Sequence, residues 1–295
     1  MTAMPAAHRA SSTMQCAPPV ALPDQPVRRM QPWLGTYVEV AGWAATGAGA
    51  EAAVDRAFAC IREAHGRWSF QDADSELSQI NRRPGQRVAV SRTTLRLLRL
   101  SRALMQASDG AFDVTLGGQL VIDACLPDHG GPPPLPRGLA QDIVLGERWA
   151  SLARPVRLVL DGIAKGFAVD RAVDAMRRSG AIAGWINAGG DLRAFGSLSV
   201  PIRVRGPSGL LQTAGGLQDM AVATSCIHAA RDEAESFPAC ILGGAAGPAS
   251  IGTWTVLARS AWRADALTKV AACTPAARRH ALLARLGGTL VKFRP

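Results

Sequence analysis

The sequence predicts a chain of mixed helices and strands, and three observations support that class. Alternating apolar residues mark short strands, apolar residues three and four apart mark amphipathic helices, and the two alternate without a clean βαβ rhythm. Thr36–Val40 alternates as a strand should. Glu51–Ala64 carries Val54, Phe58 and Ile61 on one face of a helix. Ser91 can cap a second helix running through Met105, with Leu95, Leu98 and Leu104 among its apolar positions. Asp128–Gly138 (DHGGPPPLPRG) continues neither element, because proline lacks an amide donor and glycine costs entropy; it is a loop and the best candidate for an internal boundary. Further on, strands are expected at 156–160, 184–187, 201–205, 252–258 and 289–293. Helices are expected at 163–178, 264–273 and 276–286.

Composition narrows the function classes. The chain has 295 residues, 48% of them hydrophobic and 19% charged, as expected of a protein with a sizeable core. Residues 1–30 lack a sustained apolar period and read as a mobile arm, leaving 31–295 as the folded domain. The net charge is +10, but the excess is scattered arginine without a dense basic block or interleaved aromatics, so a nucleic-acid platform is not expected. The six cysteines include no CxxC pair, which argues against a zinc ribbon or a redox motif. With no run of eighteen apolar residues, no integral membrane segment is expected. No export signal is visible, so a cytoplasmic location is the default expectation.

The chemistry concentrates in residues 160–196, LDGIAKGFAVDRAVDAMRRSGAIAGWINAGGDLRAFG. Gly162 and Gly166 bracket Ile163, Ala164 and Lys165 where a strand hands over to a helix. Glycines there let backbone amides approach a ligand, a helix start favours an anion, and Lys165 adds a cation. Tight packing of an ordinary helix start explains the same glycines. Asn187-Ala188-Gly189-Gly190-Asp191 reads as a turn that ends in a carboxylate. Gly110-Ala111-Phe112-Asp113-Val114-Thr115 follows a helix, with Gly110 as its C-cap. Asp265 and Lys269 stand four apart on a helix, a spacing that suits either an exposed ion pair or two side chains turned into a site.

Together and in this order, these segments resemble the ApbE-type FAD:protein FMN transferases. The resemblance begins at Leu34-Gly35-Thr36 and continues through Asp74-Ser75-Glu76-Leu77-Ser78-Gln79-Ile80-Asn81. It then takes in GAFDVT, GIAKGFAVD, NAGGD, Val222-Ala223-Thr224-Ser225 and ADALTK, and spans about four-fifths of the chain. It implies an α+β fold: a mixed single domain with two subdomains flanking a flavin cleft. It implies FAD as donor, a client protein bearing an acceptor threonine or serine, and transfer of FMN with release of AMP. Such chemistry needs both partners positioned and the spreading negative charge neutralised. By position, the resemblance assigns Leu34, Ala111, Phe112, Asp113 and Lys165 to the flavin nucleotide; Asp161 and Thr268, which stand near positions where the family pattern is not kept, are further candidates for it, and Asp265 with Lys269 are the catalytic candidates. It assigns Gly162, through its carbonyl, and Asp265 to a divalent metal, usually magnesium, and it allows a periplasmic location.

The sequence departs from the family pattern at three places. Lys269 replaces the usual threonine metal ligand, and an ammonium there could supply about one positive charge without metal, which puts Mg2+ in doubt. Val159 stands where an aspartate is usual, with Asp161 two positions on. The family's His-x-x-Asp-Pro-x-Thr-Gly segment is replaced by a stretch that includes Ser236–Gly244 without its His, Asp or Thr; His228 is the nearest histidine. An FAD-binding protein with weak or no transfer, and FAD hydrolysis to FMN and AMP, are the alternatives.

Overall fold

A computed structural model describes residues 25–205, 211–227 and 249–291. Its frame is an antiparallel seven-stranded sheet in the order β1-β2-β6-β7-β10-β11-β12. Strands β1 (Val27–Trp33) and β2 (Thr36–Ala44) form a hairpin closed by Leu34-Gly35, with Trp33 opposite Thr36. A two-residue hairpin turn of this kind needs positive φ at both positions, and here φ is 56° at Leu34 and 70° at Gly35. Leucine pays a conformational penalty in that region, offset by a side chain that packs against two separate core clusters.

After β2 the chain leaves the sheet and returns at β6 (Ala181–Ala188), which pairs with β2. The excursion holds α1 (Gly47–Trp68), α2 (Glu76–Arg82), β3 (Val88–Ala89), α3 (Arg92–Ala107) and α4 (Gly117–Ile122). It continues through a short 3-10 turn to β4 (Ile143–Leu145), β5 (Trp149–Leu152) and α5 (Ala164–Arg178). Strands β3, β5 and β4 form a small sheet in that order. Hydroxyls cap the first three helices: Thr46, Ser75 and Ser91 accept from the amides of Gly49, Ser78 and Thr94 at 3.1, 3.0 and 3.2 Å.

The second half completes the main sheet with β7 (Asp191–Phe195), β10 (Ala221–Ile227), β11 (Gly252–Ala258) and β12 (Gly288–Leu290). A separate ribbon of β8 (Val200–Arg205) and β9 (Leu211–Leu217) contributes Val200, Ile202 and Leu217 to a small third cluster with Ala194 and Val222. Helices α6 (Ala261–Cys273) and α7 (Ala276–Arg285) lie between β11 and β12.

Two large core clusters lie within one fold, and the proline loop does not divide them: residues on both sides of it belong to the same cluster. One gathers α2, α3, the small sheet and the later turns of α6; the other gathers the main sheet with the first turns of α1 and the last of α5. Helices α1, α5 and α6 contribute to both and so join them. On α1, Ala50, Ala53, Val54, Ala57, Phe58, Ile61, Ala64 and Trp68 form the continuous buried stripe that its spacing predicts.

Several expectations need correction. The sheet begins at Val27, inside the stretch read as an arm, because β1 is an edge strand whose apolar alternation is masked by arginines and glutamine. Val156–Leu160 is extended but is not a ladder strand: Leu158 donates to and accepts from the side-chain amide of Asn81, at 2.8 and 2.9 Å. On its other side the segment makes one isolated bridge: the Gly117 amide donates to the Arg157 carbonyl at 3.0 Å and the Val159 amide to the Val114 carbonyl at 2.8 Å. The proline loop is pinned rather than a linker. Buried Arg157 donates to the carbonyls of Gly130 and Pro132 at 3.2 and 2.8 Å, and His129 donates to that of Phe70 at 2.7 Å. The last strand ends at Leu290, and residues 292–295 lie outside the described chain. Among the described residues, no helix is long and apolar enough to cross a membrane.

Candidate functional site

The site lies where the two core clusters meet, and α5 provides its floor. Asp161, Gly162 and Ile163 lead into the helix, and Lys165 stands in its first turn. The Lys165 ammonium lies 3.4 Å from the Asp161 carbonyl and 3.8 Å from Oδ2 of Asp191. Asp191 opens β7 immediately after Gly189 and Gly190, whose φ values of 61° and 100° suit glycine and make the tight β6–β7 turn. A side chain at Gly189 would also collide with Thr36, its Cβ falling 2.5 Å from the hydroxyl.

Helix α6 brings the second half of the site. It begins one turn earlier than its apolar spacing suggests, so Asp265 sits on its second turn, fully buried. Oδ1 of Asp265 pairs with the Lys269 ammonium at 2.5 Å, and Oδ2 accepts from the amide of Gly166 at 3.1 Å. Of the two readings of the Asp265–Lys269 spacing, the inward one holds: the lysine side chain is only 18% exposed. A Cβ placed on Gly162 would meet Phe112 at 3.5 Å and Lys269 at 3.6 Å. Phe112, Gly162, Lys165, Asp191, Asp265 and Lys269, drawn from four separate motifs, are therefore one cluster.

The electrostatics follow from this crowding. Burial opposes the charge on Lys165, but Asp191, Asp265 and Asp161 outweigh it and hold the ammonium above the usual lysine range. Burial pushes the Asp265 carboxyl up, yet Lys269 and Lys165 outweigh burial and hold it below the ordinary carboxylate range. Asp191 is paired more loosely, with the Lys165 ammonium 3.8 Å from Oδ2. Its buried Oδ2 accepts no hydrogen bond, and burial together with the charge of Asp265 pushes it up to about 7.

Other expected site residues are placed differently. Ala111 and Phe112 are buried, with Phe112 at the edge of the cluster. Asp113 turns to its own loop: Oδ1 accepts from the amide and hydroxyl of Thr115 at 2.8 and 2.6 Å, and Oδ2 lies 3.7 Å from Arg137. Thr268 is fully buried; its hydroxyl donates to the Asp265 carbonyl at 2.7 Å and lies 2.7 Å from the Ser225 hydroxyl. Leu34 spans the two core clusters at the β1–β2 turn. His228 and Ser236–Gly244 lie outside the described residues. Asp191 is central although its motif reads as plain turn chemistry; its signal was a carboxylate directly after a double glycine at a strand end.

A divalent metal at Gly162 and Asp265 does not fit this donor set. Both oxygens of Asp265 are engaged, one by an ammonium that a cation would have to displace or face. Among the described residues, no group of three or more His, Cys, Asp or Glu is arranged to hold a metal.

The ApbE family profile matches residues 34–291, from the β1–β2 turn to one residue past the last strand. The chain belongs to the ApbE family. A FAD:protein FMN transferase of Klebsiella pneumoniae (strain 342) is 28% identical over 165 residues, and the match spans about half of each protein, 52% of this chain and 52% of the relative. The apo form of the flavinyl transferase ApbE of Pseudomonas stutzeri superposes with a TM-score of 0.73 at 21% identity, over 90% of this chain and 94% of that one. The ApbE protein of Thermotoga maritima gives 0.73 at 22% identity, over 90% and 93%. At these identities the likeness is one of fold, and it extends the ApbE architecture across both core clusters.

Proposed function

We propose that this ApbE-family chain is an FAD:protein FMN transferase. In the proposed reaction, a threonine or serine hydroxyl of a client protein attacks the FMN-side phosphorus of FAD. A new O–P bond forms, the bridging O–P bond breaks, AMP leaves with the bridging oxygen, and the hydroxyl proton is released. The single observation that carries this reading is the convergence of two ammoniums, Lys165 and Lys269, beside a helix start at the junction of the two halves. Fixed cations at that place stabilise charge spreading over a pyrophosphate without reorganising.

Lys269 takes the electrostatic role that a divalent cation would otherwise fill: its ammonium occupies Asp265 while its side-chain carbons pass beside Gly162. Incubation with FAD and a client carrying an acceptor threonine tests the whole reading. The expected result is a client heavier by one FMN, formed equally well in EDTA, while Lys269→Thr makes transfer depend on Mg2+. A client of unchanged mass with FAD intact would overturn transfer. AMP released without any client would favour hydrolysis, and FAD bound but left intact would favour a binding protein without transfer, the reading supported by the absence of His, Asp and Thr from Ser236–Gly244.

A further inference from the structure

Helix α6 begins without a cap of its own. Ser260 occupies the N-cap position, yet its side chain makes no capping bond and its hydroxyl is buried with no hydrogen-bond partner. The first amides of a helix must be satisfied from somewhere. Here the partner comes from α5: Asp170 accepts from the amide of Ala261 with Oδ1 and from that of Trp262 with Oδ2, each at 2.9 Å. Its negative charge also complements the helix dipole. One turn earlier on α5, Gly166 lies against the same point, where an added Cβ would fall 2.3 Å from the Ala261 carbonyl oxygen. Backbone therefore meets backbone, and the contact has no freedom to slide.

Three elements of the site converge on this one carboxylate. Helix α5 carries Lys165 and α6 carries Asp265 and Lys269, joined by the bond from the Gly166 amide to Asp265. Strand β7, which opens with Asp191, reaches Asp170 through Arg193, whose guanidinium pairs with Oδ1. Asp170 and Arg193 are both largely buried, at 10% and 15% side-chain exposure, so this is an internal tie rather than a surface ion pair.

We propose that Asp170 is a positioning residue: it caps α6 from α5 and so fixes Asp265 and Lys269 against Lys165. It touches none of the reacting groups. Only the flavin arm of the test rests on the proposed transferase reading. Amide hydrogen exchange on the FAD-free protein is compared between wild type, Asp170→Asn and Asp170→Ala, with α3 amides as the internal reference for global opening. The expected result is that the Gly166 amide, not only those of Ala261 and Trp262, exchanges about tenfold faster relative to α3. Unchanged protection at Gly166 while Ala261 and Trp262 are exposed overturns the proposal. If Asp170→Ala does not fold, Asp170→Asn carries the measurement, since it retains one acceptor.

In the flavin arm, FAD affinity is measured for Asp170→Asn, Lys269→Met and the double variant. Positioning predicts an Asp170→Asn loss of about tenfold that largely disappears in the Lys269→Met background, because neighbours acting through one another are not additive. Losses that multiply independently mark a general stability effect and overturn the proposal. If the wild-type protein binds no FAD, the flavin reading fails, and the exchange arm still decides the role of Asp170.

Discussion

Replacing Lys269 by methionine keeps most of the side-chain volume but removes the ammonium from a carboxylate with no solvent exposure. Asp265 then retains only the Gly166 amide as a direct partner, with Lys165 as the remaining nearby cation. Breaking one side of a buried pair costs about 3–5 kcal/mol. The partial exposure of Lys269 and the surviving amide bond place this case at the lower end, about 3 kcal/mol. That corresponds to a fall in Tm of roughly 5 °C for a chain of this size. The pH dependence has a definite sign. In the wild type Asp265 is held below its unfolded value, so its stabilisation is complete above about pH 4 and is lost only below it. In the variant, burial raises the same carboxyl, and the resulting cost is present at neutral pH and vanishes as pH falls toward about 4. Urea denaturation of both proteins at pH 7 and 4.5 measures the gap, which should shrink at the lower pH. A deficit under about 1 kcal/mol, the range of an exposed pair, or one independent of pH, would refute the assignment of a buried, inward-facing ion pair.

Three further outcomes follow from the geometry. Alanine at Gly166 would ordinarily favour a helix, but its Cβ meets only backbone of α6, so the clash decides and stability falls by about 1–3 kcal/mol in thermal melts. Asn81→Ala leaves both buried polar groups of Leu158 without partners and costs roughly 2–4 kcal/mol in urea denaturation, although Asn81 is not itself one of the charged residues. Asp191 is raised to about 7, so its favourable contribution is complete below about pH 4 and is lost as pH rises through 7. The FAD-free protein should therefore lose stability across that window by up to about 1.4 kcal/mol per pH unit, and Asp191→Asn should flatten the curve.

The parts of the fold legible in the sequence were those with local signals. The stripe on α1, the serine cap of α3 and β11 at Gly252–Ala258 were all readable within one window. So were the glycines that bring Gly162, Lys165 and Asp191 together, because tight turns require them whatever the distant surroundings. Features fixed by remote partners were not readable. Asn81 and Leu158 are 77 residues apart, and Asp170 and Ala261 are 91 apart, so each polar residue resembled an ordinary solvated or capping side chain. Asp113 and Thr268 stood in the right motifs, but whether a hydroxyl or carboxylate faces a ligand or its own backbone depends on one rotamer that no spacing encodes.

The β2–β6 pairing has a consequence for the order of assembly. Ala44 and Ala181 face each other in the ladder, so residues 45–180 form a single closed loop hung between two adjacent strands. Joining its ends costs chain entropy before the ladder returns any stabilisation, which makes this pairing a late event. Helix α5 is the last part of that loop, and it carries Lys165 and Asp170. The charged cluster is thus assembled only when the whole excursion has come back to the sheet. In pulse-labelled refolding, amides within α1 and α3 should gain protection before those that join β2 to β6.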